Sequence, residues 1–262
     1  MPQSCDLQTD GEILLVTITR EERRNALDTA ANHELGEVFD DFERDPAYRV
    51  AIVTGAGDKA FCAGADLKQP PGSTTLPPTP PSGFGGLTDR FGRAKPVLAA
   101  VNGAALGGGF EIALACDLII AADHATFGLP EPKVGLAAGS GGIPRLVKEI
   151  GPKRAHSILL TGRHVSAQEG LQLGFVNEVV PRDELMAAAR RWAELILACS
   201  PAALRATKAI AELADGRPVQ DVLRDQWSLP ALQGFYDGPD AAEGRAAFAE
   251  RRAPRWQPLR SG

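Results

Sequence analysis

Lysine and arginine number 28 against 33 aspartates and glutamates, for a formal charge of −5. The basic excess that marks a phosphate-binding surface is absent, so no nucleic acid is expected as a partner. No apolar run approaches the ~18–20 residues of a membrane helix. The longest candidate, Ile112–Ala122, is interrupted by Asp117. The opening MPQSCDLQTDGE is acidic and has no apolar centre, so it does not read as a signal peptide. Cysteine is scarce and scattered: Cys5, Cys62, Cys116 and Cys199 form no CxxC pair. That excludes a disulfide framework and a zinc site and points to a reduced, cytoplasmic setting. The four histidines, His33, His124, His156 and His164, stand in no triad context. The nearest approach to a nucleophile elbow, around Ser140, has Ala138 where the first glycine of G-x-S-x-G belongs. A serine hydrolase is therefore not expected, and Ser140 reads as a turn residue or a helix cap.

What the chain does have is glycine and proline, 28 and 20 in 262 residues. That exceeds the average share of about 12% and falls short of the ~25–30% of a disordered chain. The glycines are also gathered: 17 of the 28 lie between Gly55 and Gly142. Around them, apolar β-branched runs predict strands over Glu12–Thr19, Arg49–Thr54, Pro96–Val101 and Asp117–Ala122. Asp28 predicts the cap of a helix over Thr29–Arg44, with Leu35, Val38, Phe39 and Phe42 on one face. Helix also follows the Gly107-Gly108-Gly109 triplet, over Phe110–Ala115. The recurrence of strand, glycine turn, helix and strand predicts an α/β core. Residues 69–86 hold six prolines between Pro70 and Pro81 and predict a surface loop. Beyond Gly141 the pattern turns helical. Ser166-Ala-Gln-Glu169 reads as a capping box and Ser200-Pro201 as a helix start. Amphipathic helices are expected over 183–199, 201–214 and 218–229. With no linker and no repeat, the division expected is a core over 1–200 and a helical region over 201–262, whose apolar faces need a partner surface.

Two stretches invite a chemical reading. Gly55-Ala-Gly57-Asp-Lys-Ala60 fits a dinucleotide fingerprint, but FCAGADLKQPP follows it where a helix is required. No acid stands about 20 residues further on, where Pro77-Pro78 occur, so a structural turn is the better reading. The second stretch runs from Asn102 to Glu131. Glycines opening a helix let a ligand approach the backbone closely, and the helix start offers outward N–H groups suited to an oxyanion. Glu111 follows in the first turn, and Glu131 is aimed by the prolines on either side of it. On local features alone each glutamate reads more readily as a cap or a solvated charge than as a catalytic group.

At these residues the sequence resembles the crotonase superfamily, the enoyl-CoA hydratase/isomerase family. The resemblance is carried by Arg23-Arg24-Asn25-Ala26-Leu27, Ala60-Phe-Cys-Ala-Gly-Ala-Asp-Leu67, Asn102–Glu111 and Phe127-Gly-Leu-Pro-Glu131. It closes on Glu243-Gly244 and Ala247-Phe-Ala-Glu-Arg-Arg252. It implies an α/β fold of spiralling ββα units with a C-terminal helical region that assembles trimers, often paired into hexamers. It implies an oxyanion hole from the N–H groups of Ala65 and Gly108, and hydration of a 2-enoyl-CoA with Glu111 as base on water and Glu131 as acid toward Cα. It implies a CoA path along Arg24, Ala63, Asp66 and Leu67, with CoA as part of the substrate, no prosthetic group and no metal. Phe84, Leu87 and Phe91 are candidates for the acyl pocket, or else ordinary core residues. Gly83–Thr88 and AFAERRAPRW resemble the carnitinyl-CoA dehydratase-like branch, from which no substrate is drawn. Isomerase, thioesterase or C–C lyase chemistry, or a non-catalytic CoA-binding scaffold, are the alternatives.

Overall fold

In the structure, a computed structural model, residues 4–66 and 78–257 are described. The chain opens with an antiparallel hairpin of β1 (Cys5–Asp10) and β2 (Ile13–Ile18). The sequence predicts β2 and not β1. In β1 only Cys5 is buried, so this edge strand carries no apolar alternation to read. Next comes α1 (Thr29–Arg44), whose cap is as predicted: the Asp28 carboxylate accepts the Ala31 N–H at 2.9 Å. Leu35, Phe39 and Phe42 bury its core face, and Val38 packs at the edge of it.

The remaining core alternates between two sheets. β3 (Val50–Gly55) leads to β4 (Ala60–Cys62). β5 (Val97–Val101) leads to β6 (Ala104–Leu106) and then α2 (Gly108–Ala115). β7 (Leu118–Ala122) leads to β8 (Thr126–Gly128) and then to α3 (Gly142–Ile150), α4 (Pro152–Leu159), β9 (Val165–Ser166) and α5 (Ala167–Leu173). β10 (Glu178–Val180) then joins β7, so the stretch after Gly141 is not purely helical. Among the described residues one sheet has the order β1-β2-β3-β5-β7-β10 and the other β4-β6-β8-β9. β5–β6–α2 and β7–β8–α3 each lay one strand in each sheet and then a helix, as the ββα units implied by the family resemblance do. β3 and β5 are buried throughout and β7 nearly so, which is why they read as continuous apolar runs. Phe110, Phe127 and Phe175 pack between the layers with ring centroids 5.2 Å apart, pair by pair.

Two further segments differ from expectation. Residues 69–77 of the proline-rich stretch lie outside the described residues, but its end is no surface loop. Gly83–Thr88 is buried, because Asn32 of α1 accepts the Gly85 N–H at 2.7 Å and Phe84 and Leu87 enter the core. The capping box is half made: Ser166 accepts the Glu169 N–H, while the Glu169 carboxylate pairs with Arg163. The chain closes with α6 (Leu185–Leu197), α7 (Pro201–Leu213), α8 (Val219–Asp225) and α9 (Pro239–Glu250). α7 buries only Pro201 and Ala206, and α8 only Val222.

Candidate active site

The strands β4, β6 and β8 are neighbours and run parallel, so their C-terminal ends open on one place. The chain leaves β4 as Ala63-Gly64-Ala65-Asp66, leaves β6 as Gly107-Gly108, and leaves β8 as Leu129-Pro130-Glu131. Adjacency of three-residue strands thus gathers segments that are far apart in sequence. The supposed dinucleotide turn serves this arrangement structurally. Gly55 ends β3, no helix follows Gly57, and the Asn102 amide clasps the Gly55 N–H and the Gly55 and Gly57 carbonyls at 2.7–3.1 Å.

Two backbone N–H groups, those of Ala65 and Gly108, flank Gly64. Leu27 donates to the Gly64 carbonyl and receives the Asp66 N–H, which turns the Ala65 N–H to the other side of its strand. Gly108 is the first residue of α2, so its N–H has no partner within the helix. Gly64 has φ +91°, and a Cβ there would stand 3.1 Å from the Gly108 nitrogen. Only a hydrogen fits, and the space stays open to an acceptor atom. The Phe84 ring closes the far side: a Cβ on Gly108 would meet it at 2.5 Å.

Two carboxylates complete the site. Glu111 is almost fully buried on α2, and its Oε1 accepts the Gly142 N–H at 2.9 Å. Burial pushes its carboxyl up to about 7. The charge of Glu131 pushes the same way, while the Gly142 and Ser140 N–H groups and the Arg145 charge pull it back. Glu131 opens a short helical turn, Glu131–Val134, behind Pro130, and burial raises its carboxyl too. Its Oε1 lies 3.0 Å from where a Cβ on Gly107 would be, and its buried Oε2 has no hydrogen-bond partner. The arrangement can present two backbone donors to one oxygen and two carboxyls of raised proton affinity beside it.

The other expected residues divide. Ala63 and Asp66 lie on the strand extension beside Ala65, and Arg24 is exposed near them, in the left-handed conformation at φ +53°. Asp66 is not a bare charge, since Arg20 and Arg23 approach it at 3.5 and 3.9 Å. Leu67 lies outside the described residues. Phe84 and Leu87 are buried beside the site, whereas Phe91 is 72% exposed. Sequence reasoning missed the part played by Ser140 and Gly142 in holding Glu111, and it missed Arg145. The available signal was the Gly139–Gly142 run, whose last N–H reaches Glu111. Among the described residues no group of three or more His, Cys, Asp or Glu gathers as a metal set would.

Residues 8–258 match the enoyl-CoA hydratase/isomerase family. The chain is 44% identical to a carnitinyl-CoA dehydratase of Escherichia coli over 260 residues, which cover 98% of this chain and 99% of that one. Among solved structures, an enoyl-CoA hydratase of Mycobacterium marinum is 38% identical with a TM-score of 0.90, covering 98% of this chain and 99% of the other. A carnitinyl-CoA hydratase of Mycobacterium avium is 39% identical with a TM-score of 0.77 at the same coverage.

Proposed function

The chain belongs to the enoyl-CoA hydratase/isomerase family, and we infer that it is a hydro-lyase that adds water reversibly across the 2,3 double bond of a 2-enoyl-CoA. The observation that carries this reading is the pair of buried glutamates beside two free backbone donors. The thioester oxygen accepts from Ala65 and Gly108, which draws electrons from the conjugated double bond and exposes Cβ to attack. Water adds through its oxygen to Cβ. Glu111 takes the proton that water loses, and Glu131 gives its proton to Cα as the enolate collapses. The unpartnered Glu131 Oε2 suits a group that must hold a water or a substrate atom. An exchange of one proton between the two carboxyls resets the site, so they titrate as a pair. Dehydration runs the same steps backward.

The coenzyme A portion is assigned to Arg24, Ala63, Asp66 and Leu67. Arg24 offers an exposed guanidinium to a phosphate. Asp66 bears on CoA through the arginines it holds, Arg20 and Arg23. We further propose a cytoplasmic enzyme, supported by four unpaired cysteines, that assembles as a homotrimer or hexamer through its C-terminal helices, residues 201–262. Among the described residues no helix is long and apolar enough to cross a membrane.

The test is turnover of crotonyl-CoA, followed by loss of the conjugated thioester absorbance, with carnitinyl-CoA and other acyl-CoAs assayed for their products. Glu111→Gln and Glu131→Gln should each lower kcat by ~10²–10⁴ while binding of the acyl-CoA persists. Wild-type turnover by Glu131→Gln would overturn the two-carboxyl mechanism. Release of free CoA or a shifted double bond, with no hydration, would indicate a thioesterase or an isomerase. CoA binding without turnover of any acyl-CoA would indicate a scaffold.

A further inference from the structure

Arg145 takes no part in the steps above, yet three parts of the site meet at its guanidinium. Nη2 donates to the Thr88 carbonyl at 2.6 Å, and Cζ lies 5.7 Å from the centre of the Phe91 ring. Nη1 rests on Gly141, at φ +91°, where it fills the space that a Cβ would need. The Thr88 and Gly141 contacts each lead to a reacting group. The Thr88 hydroxyl accepts the Phe84 N–H at 2.8 Å, and the Phe84 ring covers Gly108, an oxyanion donor. Gly141 stands between Ser140 and Gly142, whose N–H groups hold Glu111. The planar fork of arginine can grip both sides at once, as a lysine ammonium cannot.

We propose that Arg145 is a positioning residue for hydration: it fastens the 84–91 wall to the 140–142 turn and keeps a positive charge behind Glu111, without touching the substrate. The proposal rests on the reading of Glu111 as the base. The groups that face the guanidinium are Asp89 and Arg93 from the segment before β5, Glu111 and Cys116 from α2 and its end, and Glu149 one turn along α3. Arg93 is engaged by Asp117, and burial holds the Cys116 thiol at about 12, so it is neutral near pH 7. Glu131 faces Glu111 from the turn after β8. Loss of the positive charge disfavours ionised Glu111, so its titration must move further up.

The test compares Arg145→Met and Arg145→Lys with the wild-type protein by infrared difference titration of the carboxyl bands. The Glu111 signal is identified by its loss in Glu111→Gln. This readout does not depend on turnover, and the charge-retaining Arg145→Lys separates the loss of charge from a loosened 140–142 turn. In R145M the Glu111 midpoint should rise by about half a pH unit or more. The acidic limb of kcat/KM should follow it, and kcat should fall about tenfold with KM little changed. In R145K the midpoint should stay within a few tenths of wild type while kcat still falls, because the fork is lost. Should R145M fail to fold, Arg145→Gln, which still donates to the Thr88 carbonyl, takes its place. A folded, uncharged variant with an unmoved midpoint, or R145K with wild-type kcat, would overturn the proposal. A wild-type protein that turns over no enoyl-CoA would instead refute the hydratase reading, and the midpoint alone would then decide the role of Arg145.

Discussion

Glu111 sits where burial and hydrogen bonding oppose each other, and burial wins. Its carboxyl stands at about 7, against 4.5 for a solvated glutamate. Between those values the folded chain binds a proton that the unfolded chain releases, so stability falls as pH rises across this window. Above 7 the cost of the buried charge is fully present. Glu111→Gln keeps an oxygen for the Gly142 N–H and carries no charge. It should be more stable than wild type at pH 8, by up to ~3 kcal/mol, and the gap should close as pH falls toward 5. Urea unfolding at several pH values and one protein concentration measures this. A variant that is more stable and nearly inactive is the signature of a strained catalytic group. Glu111 and Glu131 were singled out through the family resemblance, which GGGFE and FGLPE carry as short patterns, and not by their local features. What perturbs them was not legible in the sequence, since Gly142 and Arg145 come from another helix and burial has no sequence signature at a single residue.

At the scale of elements, α1 shows an Asp28 cap and an apolar face, and β2, β3, β5 and β7 are largely apolar runs. β4, β6 and β8 carry no such signal. A three-residue strand such as Ala104–Leu106 is too short to show a period, and it exists only because neighbours supply its hydrogen bonds. The site hangs on these short strands. Caps behave differently, because the signal and the contact are local. Ser200 accepts the Ala203 N–H at the start of α7, and its hydroxyl donates to Asp240 at the start of α9. Ser200→Ala removes the cap and takes a donor from a buried carboxylate. The expected loss is ~1–2 kcal/mol, read as a lower midpoint of chemical unfolding. Activity per folded enzyme should be unchanged.

At the scale of the molecule, the C-terminal helices leave apolar side chains in water. Val219, Leu223, Trp227 and Phe248 are each more than half exposed. Such a cluster marks an interaction surface, and a closed homo-oligomer is the simplest way to cover it. Light scattering after size exclusion should give three or six times the chain mass. Leu223→Glu, which carries a charge into that surface, should shift the distribution toward monomer with far-ultraviolet dichroism retained. An unchanged mass would place the contact elsewhere. The sequence reads this region as amphipathic helices whose apolar faces need a partner surface. The burial of Gly83–Thr88 is a contrary case: a stretch that composition assigned to the surface is drawn inward by one amide, Asn32, from a helix some fifty residues away.

The sequence by itself determined the α/β class, the long helices with their caps and the family, since all of these are written in local spacing. Only the tertiary structure decided that β4, β6 and β8 lie side by side. That adjacency turns the N–H groups of Ala65 and Gly108 toward one point and sets Glu131 beside Glu111. The reason is physical: proton affinity and donor geometry depend on which groups are close in space and shielded from water, and separation along the chain fixes neither.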